Sequence, residues 1–177
     1  DTEKAPKASP TFTGTVSAAA FVGDGSGLTG IASGSGGLQS VTEDGKTGYR
    51  RADGNAANYG DIGLNSVDLS FQNEGTNLKG ATGTHSFSSG NFTNSSGGFS
   101  SAIGTLTTSS GLFSTAIGYN TTSSGKYSTA IGYNITAPSF SETVLGYNNT
   151  SYTVNSATDY NAEDRLFVIG NGGQYTT

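Results

Sequence analysis

The chain has 177 residues, 32% hydrophobic and 12% charged, with a net charge of −5, 28 glycines and no cysteine or methionine. So little apolar surface excludes a thick globular core in a single chain, and so little charge excludes both strongly charged disorder and the clustered Lys and Arg of a nucleic-acid surface. Without cysteine there are neither disulfides nor thiolate metal sites; no apolar run approaches the ~20 residues of a membrane helix, and no signal peptide is visible.

In chain order, residues 1–45 read as an extended connector of short strands between glycine turns, with Ser9-Pro10-Thr11-Phe12-Thr13-Gly14 and Phe21-Val22-Gly23-Asp24-Gly25-Ser26-Gly27-Leu28-Thr29-Gly30 as its punctuated runs and a Gly-Ser hinge from Ala32 to Gly37. The first residue is Asp1, as expected of a processed product or an excised fragment. Residues 46–83 form an irregular β segment that carries much of the charge, including Arg50, Arg51, Asp53, Asp61 and Asp68, with an alternating strand at Ser66–Phe71.

Residues 84–156 hold a 14-residue repeat. Ser101-Ala102-Ile103-Gly104 returns as Thr115-Ala116-Ile117-Gly118, as Thr129-Ala130-Ile131-Gly132 and as Thr143-Val144-Leu145-Gly146. A second glycine series, Gly97, Gly111 and Gly125, sits seven residues out of phase, and Phe99, Phe113 and Tyr127 keep the same beat. A 14-residue unit cannot offset ~1–2 kcal/mol of backbone entropy per residue alone, so only stacking can supply the missing burial. Two extended segments per copy, each closed by a glycine at φ > 0, make one turn of a narrow β-coil, with turns ~4.8 Å apart and five turns spanning roughly 24 Å. Ile103, Ile117, Ile131 and Leu145 supply one apolar residue per turn, a strip suited to symmetric self-association. Residues 157–177 form a C-terminal strand or tip, in which Leu166-Phe167-Val168-Ile169 suits a strand buried on both faces, the second by another chain.

The copies Ser114-Thr115-Ala116-Ile117-Gly118-Tyr119-Asn120 and Ser128-Thr129-Ala130-Ile131-Gly132-Tyr133-Asn134 resemble the head repeats of YadA-like trimeric autotransporter adhesins. The resemblance implies an all-β fold: a homotrimeric fibre with a left-handed parallel β-roll and short flanking β segments, Ala and Ser filling each coil and the isoleucines facing the threefold axis. Ile103, Ile117, Ile131, Leu145, Leu166 and Val168 are the expected trimer contacts. The N-terminal runs are similar to segments of phage tail fibres, and Arg165-Leu166-Phe167-Val168-Ile169-Gly170-Asn171-Gly172 resembles the stretch before an endosialidase-type intramolecular chaperone that cleaves itself away. The sequence shows no coiled-coil stalk and no C-terminal membrane barrel, which favours a tail-fibre-like or mosaic fibre and no insertion into a membrane.

Sites of chemistry are sparse. Gly25-Ser26-Gly27-Leu28-Thr29-Gly30 matches the dinucleotide fingerprint, but no helix follows to receive a pyrophosphate. Asp44-Gly45-Lys46-Thr47 has Ser40 where a phosphate loop needs its first glycine and reads as a turn. His85 is the only histidine, which excludes a multi-histidine metal site within one chain, so neither metal nor cofactor is expected. Asp159, Glu163 and Asp164 cluster before the last strand, either as a solvated surface or as the carboxylates of a glycan hydrolase. Tyr119, Tyr133 and Tyr147, each followed by an asparagine at Asn120, Asn134 and Asn148, would stack as ladders that either recognise sugar rings or stabilise the solenoid. The expected function is a non-enzymatic, extracellular, homotrimeric adhesin tip that binds a cell-surface glycan or an outer-membrane receptor. A polysaccharide-degrading tailspike and an ice-binding or structural spacer are the alternatives.

Overall fold

The computed structural model describes residues 37–73 and 79–172. Most of the connector, with its glycine fingerprint and Gly-Ser hinge, and the last five residues lie outside the described residues.

The chain winds into a parallel β-solenoid of about seven turns. It begins with an antiparallel hairpin of β1 (Leu38–Glu43) and β2 (Lys46–Arg51), whose Asp44-Gly45 link has both residues at positive φ, the two-residue hairpin turn that Asp-Gly favours. The phosphate-loop lookalike is this turn. The hairpin spans residue 45, where the expected connector meets the irregular segment. A single 3-10 turn, Ala56–Asn58, follows, and then β3 (Val67–Phe71), β4 (Gly80–Ala81), β5 (Phe87–Asn91), β6 (Asn94–Ser95), β7 (Ser101–Thr105), β8 (Thr108–Ser109), β9 (Thr115–Tyr119), β10 (Thr122–Ser123), β11 (Thr129–Tyr133), β12 (Thr136–Ala137), β13 (Thr143–Tyr147) and β14 (Phe167–Asn171).

The long strands stack in one sheet in the order β1-β2-β3-β5-β7-β9-β11-β13-β14, and the short ones in a second, β12-β10-β8-β6-β4. From β5 to β13 each residue pairs with its counterpart 14 positions on, as in Ile103 with Ile117 and Ile117 with Ile131. The stack runs past residues 84–156 at both ends: β3 pairs with β5, and β14 with β13, across longer connections.

Two corners turn the chain. At the first, Gly90, Gly104, Gly118, Gly132 and Gly146 lie at φ between 105° and 149°. A Cβ at Gly118 would stand 1.9 Å from the carbonyl oxygen of Gly132, so only glycine can stack on glycine there. The second corner departs from expectation. Its positive φ falls not on Gly97, Gly111 and Gly125 but two residues later, on His85, Phe99, Phe113 and Tyr127, at 55° to 62°. A left-handed backbone costs a residue with a Cβ roughly 1–2 kcal/mol. Ring stacking opposes that cost, with centroids 4.8 Å apart for His85 and Phe99, 4.9 Å for Phe99 and Phe113, and 5.3 Å for Phe113 and Tyr127.

The interior is narrow and largely polar. One inward row runs Arg50, Asp68, Ser88, Ala102, Ala116, Ala130, Val144 and Val168, so it passes from ionic through serine to aliphatic along the axis. Ala and Ser do fill the coils, but the serines are paired: Ser95 with Ser100 (2.7 Å), Ser109 with Ser114 (2.7 Å) and Ser123 with Ser128 (2.6 Å). Ser100, Ser114 and Ser128 each donate to the glycine carbonyl three residues back, which closes the aromatic corner.

Another interior pair joins residues five apart. Ser88 and Thr93 share a hydrogen bond of 2.7 Å. In the next two turns alanine, at 102 and 116, replaces the serine, and the buried hydroxyls of Thr107 and Thr121 have no partner. In the turn after that the threonine gives way to Ile135, which packs with Ala130, Ala137, Val144 and Val168.

Ionic groups close both ends. Arg50, almost fully buried, donates to both oxygens of Glu43 (2.9 and 3.1 Å) and to the carbonyl of Gly60 (2.9 Å), and lies 4.7 Å from the Tyr59 ring centre. Asp68 accepts from Ser70 and from the Ala81 N–H. Burial raises the Asp68 carboxyl above its ordinary range, outweighing these hydrogen bonds and the nearby Arg50 charge. For Glu43, burial is the largest single influence and pushes upward. The Arg50 guanidinium and the Ile62 N–H together overcome it, so the carboxyl lies below its ordinary range. At the other end the buried Glu142 accepts from the Ser139 N–H and hydroxyl and faces Arg165 at 3.7 Å.

The C-terminal strand departs from expectation. Val168, expected as a trimer contact, pairs with Val144 and packs inward against the core, whereas Ile169 pairs with Leu145 and continues the outer isoleucine row. Leu166 is half exposed ahead of β14 and off that row. Of the four-residue apolar run only Val168 turns inward, with Phe167 and Ile169 61% and 67% exposed.

Replacing Thr107 and Thr121 by valine should raise stability by about 1 kcal/mol each, because each change removes a buried hydroxyl without a partner at constant shape. Thermal melting checks this, with Ser95→Val, which would break a satisfied pair, as the opposite-sign control. Glu43→Gln should lower the urea midpoint at neutral pH, since Arg50 loses an anionic partner. It should also flatten the acid limb: a depressed folded pKa contributes stability above the ordinary glutamate range that is lost as pH falls through the folded value.

Candidate functional site

The candidate ligand residues leave the long strands at the first corner. Tyr119, Tyr133 and Tyr147 end β9, β11 and β13, two residues beyond Ile117, Ile131 and Leu145, and each is close to half exposed. Their rings stack with centroids 5.1 and 5.2 Å apart. The flat faces that a sugar would use are thus turned largely toward neighbouring tyrosines, leaving edges and hydroxyls outward. Asn120, Asn134 and Asn148 follow at φ of 45° to 51°, the left-handed conformation that asparagine tolerates best after glycine. Asn120 donates to Asn134 (2.7 Å) and Asn134 to Asn148 (2.6 Å). The ladder exists, and in the single chain it satisfies itself.

The isoleucine row is outward. Ser89, Ile103, Ile117, Ile131, Leu145 and Ile169 pair in register on the long-strand sheet, with Ile131 39% exposed. The tyrosine row runs parallel to it along the same strands, so the proposed ligand residues and proposed trimer contacts are neighbours.

Of the acidic cluster, Asp164 is tied into its own loop. Asp164 accepts from the backbone and side chain of Asn155 and from the Ser156 N–H, at 2.8 to 3.2 Å. The Asn155 N–H contributes most to holding its carboxyl below the ordinary range, the Ser156 N–H and Asn155 side chain add to that, and burial opposes it only in part. A general acid needs the opposite shift. Asp159 accepts from Thr158, and Glu163 is exposed. His85 stacks on Phe99 and lies 3.3 Å from the Asn65 amide. Among the described residues no cluster of metal-ligating side chains occurs, and no helix is long and apolar enough to cross a membrane.

Sequence reasoning missed the role of the segment between β13 and β14. It caps the short-strand sheet: the Asn149 side chain accepts from the Thr136 N–H and donates to its carbonyl, both at 2.8 Å, which occupies the open edge of β12. Lys126 and Phe140 donate to the carbonyls of Ala157 and Ser156. Arg165 lies over the Tyr152 ring at 3.7 Å and donates to Thr150. The doubled Asn148-Asn149, where earlier copies have one asparagine, was the available signal.

Residues 81–107 and 109–134 match the YadA head domain repeat, in two copies. Each copy spans two of the 14-residue turns. Comparison with curated proteins and with solved structures returned no match. The central solenoid is thus similar to YadA-type heads, on the residues where the interior pairing is most regular.

Asn134→Ala should destabilise the protein by about 1–2 kcal/mol, since it forces a Cβ residue without a compensating amide into the left-handed region and cuts the ladder. Asn134→Gly should recover part of that loss in denaturant titrations. Equal melting of both variants and the parent would show the ladder to be structurally idle.

Proposed function

We propose that this chain is the non-enzymatic head of a homotrimeric, extracellular fibre that attaches to a cell-surface receptor, a glycan in the first instance. The observation that carries this reading is the outward row of Ile103, Ile117, Ile131, Leu145 and Ile169, aligned at one residue per turn on a sheet face that no other strand among the described residues packs against. A thin solenoid with a mostly hydroxyl-lined interior has little apolar burial of its own, and a second and third copy supply it. The match to the YadA head repeat supports the same assembly.

Three identical heads give avidity, so a receptor bound weakly by each site is held firmly by the assembly. The role of the carboxylates in a tailspike enzyme is disfavoured by the engagement of Asp164 in a loop.

Sedimentation equilibrium should return a trimer, and Ile117→Asp with Ile131→Asp should dissociate it to monomers, because six carboxylates would be driven into an apolar contact at several kcal/mol each. The intact trimer should be retained on a glycan array without releasing new reducing ends. A stable monomer of the parent chain at micromolar concentration would overturn the assembly, and new reducing ends would overturn the non-enzymatic reading.

A further inference from the structure

We infer that the receptor glycan is held not by the stacked tyrosines but in the cleft beneath the segment between β13 and β14, and that the cleft takes one neutral sugar ring. This rests on the glycan reading above and gives it a location. The cleft has a volume of about 300 Å³ and is lined by Asn134, Thr136, Pro138, Asn149, Thr150, Ser151, Tyr152 and Arg165. That is the lower end of the range for small-molecule sites, suited to a single ring and not to an extended chain.

The placement argues for function. The connections that break the 14-residue rhythm, after β2, β3 and β13, all leave at the end of a long strand, and insertions gathered on one side of a solenoid commonly form its binding face. This one does more than close the stack, because beyond Asn149 it leaves a recess against Thr136 and Pro138.

The lining argues for the ligand class. The charge of Arg165 is opposed by Glu142 at 3.7 Å, so the cleft offers no net charge to an ionic ligand. The Arg165 Nε and the facing Glu142 oxygen have no hydrogen-bond partner. Among the described residues the hydroxyls of Thr136 and Ser151 are also uncommitted, while the Asn149 amide is consumed by the β12 edge. What remains is the hydroxyls of Thr136 and Ser151 around the apolar ring of Pro138 and the Tyr152 ring, a mixture that matches the alternating C–H and O–H surface of a neutral hexose. The tyrosine ladder lacks this combination because it stands on an open sheet edge with no facing wall, whereas Pro138 and Tyr152 line a recess.

Saturation-transfer NMR on the assembled protein with millimolar glucose, galactose and N-acetylglucosamine tests the site. Transfer to at least one sugar is expected. It should fall at least tenfold in Ser151→Trp and in Thr136→Trp, two exposed positions where the indole fills the cleft without entering the coil, and persist in Tyr133→Ala. Transfer unaffected by both tryptophans, or lost in Tyr133→Ala alone, would overturn the cleft while leaving the glycan reading intact. No transfer to any of the three sugars also overturns the cleft as a neutral-hexose site, and no retention on a glycan array would overturn the glycan reading itself.

Discussion

Every residue of the solenoid must be able to sit on its own counterpart, a strand spacing above and below. That self-stacking constraint selects the few residue types that tolerate it. Glycine stacks on glycine where a Cβ would strike the next carbonyl at 1.9 to 2.2 Å, at Gly90, Gly104, Gly118, Gly132 and Gly146. Aromatic rings stack on rings, amides on amides, and serine hydroxyls pair across each coil. Where the stack ends, the constraint lapses: Ser139 replaces glycine in the Gly97 series and uses its hydroxyl to reach the Arg165 carbonyl (2.9 Å).

The period, the two-strand turn, the glycine corner and the outward isoleucines were legible because each is a repetition, and repetition survives in sequence without any knowledge of distance. The aromatic corner was half legible. The rhythm of Phe99, Phe113 and Tyr127 was plain, but the glycines two residues earlier are the conventional home of a positive φ, and the corner instead places it on the ring position, where Ser141 adopts it as well. Val168 and Ile169 could not be assigned to faces, because the connection before β14 is longer than one repeat and a one-residue shift exchanges the two sides of a strand. The cleft was illegible for a related reason: Thr136, Pro138, Tyr152 and Arg165 are brought together by an insertion that obeys no period.

The interior pairs show how substitutions travel together in such a coil. Ser88 with Thr93 is a satisfied polar pair, Ala130 with Ile135 an apolar one, and the two intervening turns hold alanine against an orphaned threonine hydroxyl. These turns lie between two chemically consistent solutions and retain half of each. Their stability comes from neighbours on both sides, as nearest-neighbour coupling in a linear stack requires.

The graded interior row has one more consequence. Near-identical turns invite the chain to slip by one whole repeat, since almost every backbone bond would re-form 14 residues out of place. Slippage would carry Asp68 against alanine at one end and strip Glu142 of Arg165 at the other, leaving buried carboxylates short of partners. The charged rungs therefore act as bookends that let a monotonous sequence count its own turns.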